Sequence, residues 1–251
     1  HTRNREVSWA RRSVKETGRD WLKGFFALAS IGAAAGAWQH RRSWVDVVVN
    51  EEKYFVRDAS LYPQSLRKVA QQRTSLRRMK AGKDNLAAGI AFTRIMREDI
   101  LPYWYGTPWA FDGNSEMPQQ GYIACGYFVT TTLRDAGVPI NRIKWAQAAS
   151  EPMIRHLVGA PSISHHSNRS LTQFYNELVA RGQGLYIVGL DTHTGFIVLD
   201  GTGAWFIHSS GAYPYRVVQE PLLDSSVLAR SAYRVVGRLN TDEAFMQRWL
   251  A

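Results

Sequence analysis

The sequence predicts an α+β fold, with helices in roughly the first two thirds of the chain and strands in the last third. Two observations carry this prediction. Helix-period apolar stripes and helix-stop residues recur up to about residue 181, and from Leu185 onward short apolar runs alternate with turn residues. Between two of these runs, Asp200-Gly-Thr-Gly203 is a strong hairpin signal, which indicates an antiparallel sheet.

The helical part is predicted from periodicity and from the residues that end helices. The segment Trp44 to Phe55 is expected to have mixed secondary structure with a strand-like part, because it contains the short β-branched run Val45-Asp-Val-Val-Val49. The segment Arg57 to Gln64, which contains Pro63, is expected to be a connection. Helices are predicted over Gln64 to Lys83, Leu86 to Ile100 before Pro102, Cys125 to the stop at Gly137 and Pro139, Ala148 to Leu157, Leu171 to Arg181, and Asp242 to Leu250.

The strands and one polar segment complete the prediction. The segment Ser162 to Ser170 is expected to be a loop at the rim of a substrate site; its neighbours His165 and His166 point in different directions, which disfavours a metal site. Strands are predicted over Leu185 to Leu190, Gly195 to Leu199, Ala204 to His208, Tyr215 to Gln219, and Ala232 to Leu239.

Cys125 is the single cysteine of the 251 residues and lies where a strand-like run gives way to a helix-like one. A thiol at a helix N-terminus faces unpaired N–H groups and the positive end of the dipole, so its pKa is expected to be lowered. A lone cysteine is most often core packing. Here, however, His193 and His208 flank the predicted hairpin on adjacent strands, and a nucleophile, its base and an orienting group need this combination.

Four stretches, taken in order, resemble the successive signatures of the NlpC-type cysteine peptidases of bacterial cell walls. They span less than half of the chain and read Tyr105-Gly-Thr-Pro-Trp109-Ala-Phe-Asp-Gly113, Cys125-Gly-Tyr-Phe-Val129, His193-Thr-Gly-Phe-Ile197 and Phe206-Ile-His208-Ser.

The resemblance implies a role for each of three residues. Cys125 would be the nucleophile, His193 the general base and His208 the residue that orients the imidazole. His193 would hold the thiolate as an ion pair and then protonate the leaving amine. The resemblance also implies a papain-like core, with the thiol-bearing helix packed on a small antiparallel sheet, and a substrate that is an amide or isopeptide bond in the peptide part of peptidoglycan.

Three positions depart from the pattern of that family. Ala124 and Gly126 flank the cysteine where Asp and Ser are usual, and Trp109 stands where a tyrosine is usual. The backbone N–H of Cys125 and the indole of Trp109 are candidate oxyanion donors. Tyr105 is a further candidate for substrate binding, and Asp191 is a candidate partner for His193.

Composition bears on which cofactors, metals and binding partners are expected. One cysteine excludes an internal disulfide, and without a cysteine cluster, a His-Glu-x-x-His run or a glycine-rich phosphate loop we expect neither a metal nor a cofactor. The basic stretch Arg67 to Lys83 suits an anionic polymer or a membrane surface, although a solvated helix face without a partner is an equal alternative. We expect no specific nucleic-acid binding, and a monomer.

The N-terminal segment suggests a location. Seven Lys or Arg residues and three acids precede the uncharged stretch Gly24 to Trp38, so residues 1–37 are expected to be a signal peptide or membrane anchor. A packed Ala/Gly-rich helix is the alternative. Residues 38–85 would then form a basic, partly helical extension and residues 86–251 the catalytic domain of an exported protein, in the periplasm or cell envelope.

The sequence thus predicts a cysteine hydrolase that acts on peptidoglycan peptides through a Cys-His-His triad and a thioester. Two other classes stay open, namely a non-catalytic envelope-binding protein on a peptidase scaffold and a thioester-dependent acyltransferase or effector. A Cys-His-His zinc site is a weaker third alternative.

Overall fold

A computed structural model of the chain describes residues 56–79 and 85–251, which belong to one compact unit. The segments predicted as a signal peptide or anchor (1–37) and as a mixed strand region (44–55) lie outside these residues. Among the described residues, every helix is too short or too polar to traverse a bilayer.

The described residues form helices and one sheet. The helices are α1 (Tyr62–Met79), α2 (Asn85–Arg94), α3 (Leu101–Trp104), α4 (Cys125–Asp135), α5 (Arg142–Ala146), α6 (Ser150–Leu157), α7 (Leu171–Arg181), α8 (Ser226–Arg230) and α9 (Glu243–Leu250), with a π-helical stretch (Ile95–Ile100) joining α2 to α3. The strands are β1 (Ile163–Ser167), β2 (Gly184–Leu190), β3 (Thr194–Asp200), β4 (Gly203–Ser209), β5 (Val217–Pro221) and β6 (Tyr233–Arg238).

The α+β prediction is confirmed at the level of fold class, and three local predictions are wrong. The chain is already helical at Tyr62, because a proline such as Pro63 is tolerated in the first turn, where its missing N–H has no partner to lose. The segment predicted as a polar loop around His165 contains strand β1, which pairs with β6 from Ile163↔Gly237 to Ser167↔Tyr233. Strand β5 lies two residues later than predicted.

The strands described here form one antiparallel sheet in the order β1-β6-β2-β3-β4-β5. The predicted hairpin joins β3 to β4, with Asp200 opposite Gly203, and the Asp200 carboxylate accepts a hydrogen bond from the Thr202 N–H at 2.7 Å. This turn fixes the register of the two strands and therefore the position of His208 beside the start of β3.

Both faces of the sheet are covered, so the central strands are apolar throughout instead of alternating. Successive residues of β2 and β3 enter two different cores. One core contains Leu185, Ile187, Phe196 and Val198, and the other contains Tyr186, Val188, Ile197 and Leu199.

Helix α4 packs on the first of these cores. The Phe128 ring lies 6.1 Å from the ring of Phe196 on β3 and 6.4 Å from that of Trp104 on α3, and both pairs meet edge to face. Val129 and Leu133 are buried in the same core. This packing holds the first residue of α4, Cys125, beside the beginning of β3.

Helix α1 is part of the same core, and the predicted boundary at residues 85 and 86 does not separate it from the rest. Tyr62 is fully buried; its hydroxyl donates to Asp135 on α4 at 2.7 Å and accepts from the Trp104 indole at 3.0 Å. Part of the predicted basic face is also used internally, since Lys68 pairs with buried Asp99 at 2.7 Å. Arg67 remains exposed.

A close approach of two helices explains the glycine after the cysteine. A Cβ atom built on Gly126 would lie 2.2 Å from the carbonyl oxygen of Ala146 at the end of α5. Serine, the residue usual at this position in the resembled family, therefore cannot fit here unless the backbone moves.

We therefore predict that Gly126→Ala destabilises the fold by about 1–3 kcal/mol, because overpacking against a backbone atom cannot be relieved by a side-chain rotation. Urea unfolding followed by circular dichroism measures this change. Ala88→Gly, at a buried position on α2, controls for the intrinsic difference between Gly and Ala in helices. A Gly126→Ala protein as stable as the unmodified chain would contradict the close approach.

Candidate active site

The candidate site lies where the N-terminus of α4 meets the turn between β2 and β3. Cys125, which is partly exposed, and His193 both line a cleft of about 780 Å³ and a neighbouring cleft of about 580 Å³. The pair thus stands at the junction of two open cavities, where a chain-like substrate can extend to either side.

The start of α4 presents free backbone donors to the thiol. Ala124, the N-cap residue, is extended and makes no side-chain cap, so no side chain competes for the N–H groups of the first turn. The backbone N–H groups of Thr194, Gly126 and Cys125 are near enough to the thiol to act on its pKa, each in the direction that lowers it. Thr194 directly follows His193, so the thiol lies near the histidine turn.

The two predicted histidines are in contact. His193 Nε2 lies 2.8 Å from His208 Nδ1, and the two rings meet nearly perpendicular, with centroids 4.9 Å apart. The His208 side chain is 1 % exposed and stacks on the Phe206 ring at 4.0 Å. The adjacency predicted from the hairpin signal is confirmed.

Glu220 extends this line by one residue that the sequence analysis missed. Its Oε1 lies 3.3 Å from His208 Nε2, and its side chain is 29 % exposed. Glu220 lies on β5, beyond the predicted end of that strand at Gln219. An acidic residue on the strand next to His208 is the signal that could have revealed it.

The carboxylate determines the tautomers of both histidines. An ionised carboxylate only accepts, so His208 carries its proton on Nε2 and donates it to Glu220. His208 Nδ1 then accepts from His193 Nε2–H. The remaining nitrogen, His193 Nδ1, therefore carries a lone pair and can act as a base.

Burial keeps the resting site neutral. Desolvation raises the pKa of the Cys125 thiol, although the three backbone N–H groups act in the opposite direction. The prediction that the helix N-terminus lowers the thiol pKa is therefore wrong, because the net effect is a raised pKa. Desolvation, with a smaller contribution from His208, lowers the pKa of His193 to about 3, so the resting pair is a thiol and a neutral imidazole instead of the expected ion pair.

The pKa of His208 is shifted for the same physical reason. Burial lowers its pKa, and the hydrogen bond and charge of Glu220 offset part of this effect.

Trp109 lines the larger cleft. Its indole packs against Gly211, where a Cβ atom would lie 2.9 Å from Trp109 Cζ2, and its backbone N–H donates to the Tyr215 carbonyl at 2.8 Å. Among the described residues, none accepts a hydrogen bond from the indole N–H.

The structure places Tyr105 and Asp191 differently. Tyr105 is buried, lines neither cleft, and donates its hydroxyl proton to Gln219 at 2.7 Å. Asp191 lines the smaller cleft, but its carboxylate accepts from the Ser231 hydroxyl at 3.0 Å and the Ala232 N–H at 2.8 Å. These bonds lower the pKa of Asp191 and tie the His193 turn to the segment after α8.

His165 and His166 have separate partners and line neither cleft. His165 Nε2 lies 3.0 Å from Glu151 Oε1, whereas buried His166 lies between the Ser164 hydroxyl, at 2.8 Å, and Glu177. Within residues 56–79 and 85–251, no group of three His, Cys, Asp or Glu side chains is arranged to hold a metal ion.

The lowered pKa of His193 predicts sensitivity of the fold to acid. Between the ordinary value of 6.5 and about 3, the unfolded chain binds a proton at this ring and the folded chain does not, so stability falls as pH drops through this window. Replacing His193 by Asn should reduce the decrease in the free energy of unfolding on acidification by at most about 1.4 kcal/mol per pH unit.

Thermal unfolding of both proteins between pH 7 and pH 4 measures this difference, with His165→Asn as the control for loss of a more exposed ring. Identical pH dependence in the unmodified chain and in His193→Asn would contradict the burial of a neutral His193.

Comparison of the chain with protein-family models, with curated proteins and with solved structures finds no match. The geometry of the site and its sequence motifs are therefore the observations that bear on its function.

Proposed function

We propose that the protein is a cysteine hydrolase with a papain-like core, which cleaves an amide or isopeptide bond in peptidoglycan peptides. One observation carries the proposal: the hydrogen-bonded line Glu220–His208–His193 leads to the cleft that Cys125 lines. The chemistry of acyl transfer follows from this line and the thiol. The peptidoglycan substrate follows from the sequence resemblance.

The first step forms a thioester. As the Cys125 sulfur attacks the amide carbonyl carbon, its proton passes to His193 Nδ1. Charge separates only during this step, because both groups are neutral at rest. The resulting imidazolium hydrogen-bonds through His208 to the carboxylate of Glu220, which offsets its positive charge.

The tetrahedral oxyanion needs donors that are already in place. The backbone N–H of Cys125 and the indole N–H of Trp109 are the groups we assign to this role. Preorganised donors of this kind contribute about 3–4 kcal/mol each to transition-state stabilisation. When the intermediate collapses, the C–N bond breaks and the imidazolium proton goes to the leaving amine.

The second step returns the enzyme to its starting state. Neutral His193 takes a proton from water as the water oxygen attacks the thioester carbonyl. The C–S bond then breaks, the carboxylic acid leaves, and the proton held on His193 returns to the sulfur.

Removing the sulfur tests the nucleophile. Cys125→Ala should leave the fold intact and abolish cleavage of purified peptidoglycan fragments, because the chain has no other cysteine to replace it. Mass spectrometry before and after incubation reports which bond is cut, and a thermal melt of the variant confirms that it folds.

The same experiment separates the alternatives. Cleavage that persists in Cys125→Ala would reject the assignment. No cleavage by the unmodified protein, with fragments retained on it, would favour an envelope-binding protein. Incorporation of an added amine in place of water would favour an acyltransferase.

The carboxylate of Glu220 provides a second test. In Glu220→Gln the negative charge is lost and the amide offers His208 either a donor or an acceptor, so the tautomers are no longer fixed. We expect kcat to fall roughly 10²-fold with a smaller change in KM, and Glu220→Asp to recover part of the loss.

Glu177→Gln is the matched control, since Glu177 contacts His166 away from both clefts. Equal activities of Glu220→Gln and Glu177→Gln would show that Glu220 has no part in the reaction.

A further inference from the structure

Arg230 is a cation in the larger cleft, and its side chain has no partner among the residues that the structure describes. It lines that cleft together with Cys125 and His193, and also a small pocket formed by His193, Thr192 and Asp191. Within residues 95–251, each other arginine has a hydrogen bond, ion pair, ring contact or electrostatic interaction. The side chain of Arg230 has none with any residue in the described ranges, and it is exposed. A guanidinium left free beside a catalytic base is available to a ligand.

The backbone around Arg230 is anchored on both sides. Before it, the guanidinium of Arg234 donates to the Leu228 carbonyl at 2.8 Å and 3.2 Å. After it, Ser231 and Ala232 bind the Asp191 carboxylate, which lies two residues before His193. These contacts hold the backbone on either side of Arg230 near the His193 turn, and Asp191 acquires a structural role in this arrangement.

Asp112 is the second charged residue among those that line this cleft, and it belongs to the segment before α4. The next residue, Gly113, accepts a hydrogen bond from the N–H of Ala124, the residue before the nucleophile, at 2.8 Å. Asp112 is exposed and forms no hydrogen bond or ion pair with a described residue. The cleft thus carries a cation that shares a pocket with His193 and an anion next to the segment that binds Ala124, the residue before the thiol.

We infer that the substrate is a zwitterionic peptide that carries a carboxylate on the fragment released as the amine. This inference rests on the proposed function. His193 protonates the leaving amine, so that fragment lies on the imidazole side, where Arg230 can bind its carboxylate through two parallel hydrogen bonds. Asp112 then faces a free ammonium group on the acyl fragment. The same two charges disfavour neutral amides and peptides with the opposite arrangement.

The test uses pairs of synthetic peptides with the sequence of a peptidoglycan stem peptide, in which the α-carboxyl of the leaving residue is either free or amidated. Calorimetry measures the binding of each peptide to Cys125→Ala, and kcat/KM is measured for the unmodified protein. We expect the free carboxylate to bind roughly tenfold or more tightly, and to be turned over faster by a similar factor, since hydrogen bonds between charged groups have this strength.

Arg230→Gln should remove this preference, and Arg230→Lys should restore only part of it. Arg94→Gln, which removes the same charge from exposed helix α2, is the matched control and should retain the preference in full. In Asp112→Asn, the preference for a free over an acetylated amine on the acyl fragment should decrease instead.

The outcomes separate the two proposals. Equal affinity of Cys125→Ala for the free and amidated peptides would overturn the inference, whether or not the unmodified protein cleaves them. A preference for the carboxylate that requires Arg230, without any cleavage by the unmodified protein, would uphold carboxylate binding by Arg230 and reject the hydrolase. A preference that Arg230→Gln retains would also overturn it.

Discussion

The hydrogen bond between His193 and His208 is the interaction on which the site depends. It joins the turn that ends β2 to the interior of β4, at a separation of 2.8 Å that only the correct register of the β3–β4 hairpin allows. Gly195 contributes to this contact, because a Cβ atom there would lie 2.8 Å from the Cβ of His208. The rigidity of the pair comes from the sheet, which is covered by apolar residues on both faces.

In the proposed mechanism, the placement of charges allows partly buried groups to react. Isolated charges are costly inside a protein, and here burial raises the pKa of the thiol and lowers that of both histidines. The carboxylate of Glu220 lies at the end of the hydrogen-bonded series Glu220–His208–His193 and is partly exposed, so that solvent reduces its desolvation cost. A proton that moves from sulfur to imidazole thus creates a cation already connected to an anion.

Much of the architecture could be predicted from local signals, and the failures have physical causes. The Asp200–Gly203 turn and the helix beginning at Cys125 are encoded by neighbouring residues, and both predictions are confirmed. Strand β1 was missed because Ser164, His165 and His166 have little intrinsic strand preference; pairing with β6 makes them a strand.

The site could be predicted only in part for the same reason. The histidine pair follows from the hairpin, whereas the contact between Glu220 and His208 depends on how β5 lies beside β4. The direction of the thiol pKa shift depends on how deeply the sulfur is packed, and the glycine at position 126 depends on the approach of α5. None of these three features is visible in a short stretch of sequence.

The central claim is that the carboxylate of Glu220, acting through two neutral imidazoles, leaves a lone pair on His193 Nδ1. Nitrogen-15 NMR of the histidine rings in the full chain at neutral pH tests it most directly, with His193→Asn and His208→Asn used to assign the signals. The account predicts that both rings are neutral and protonated on Nε2 alone. A proton on Nδ1 of His193, or a charged ring at either position, would contradict it.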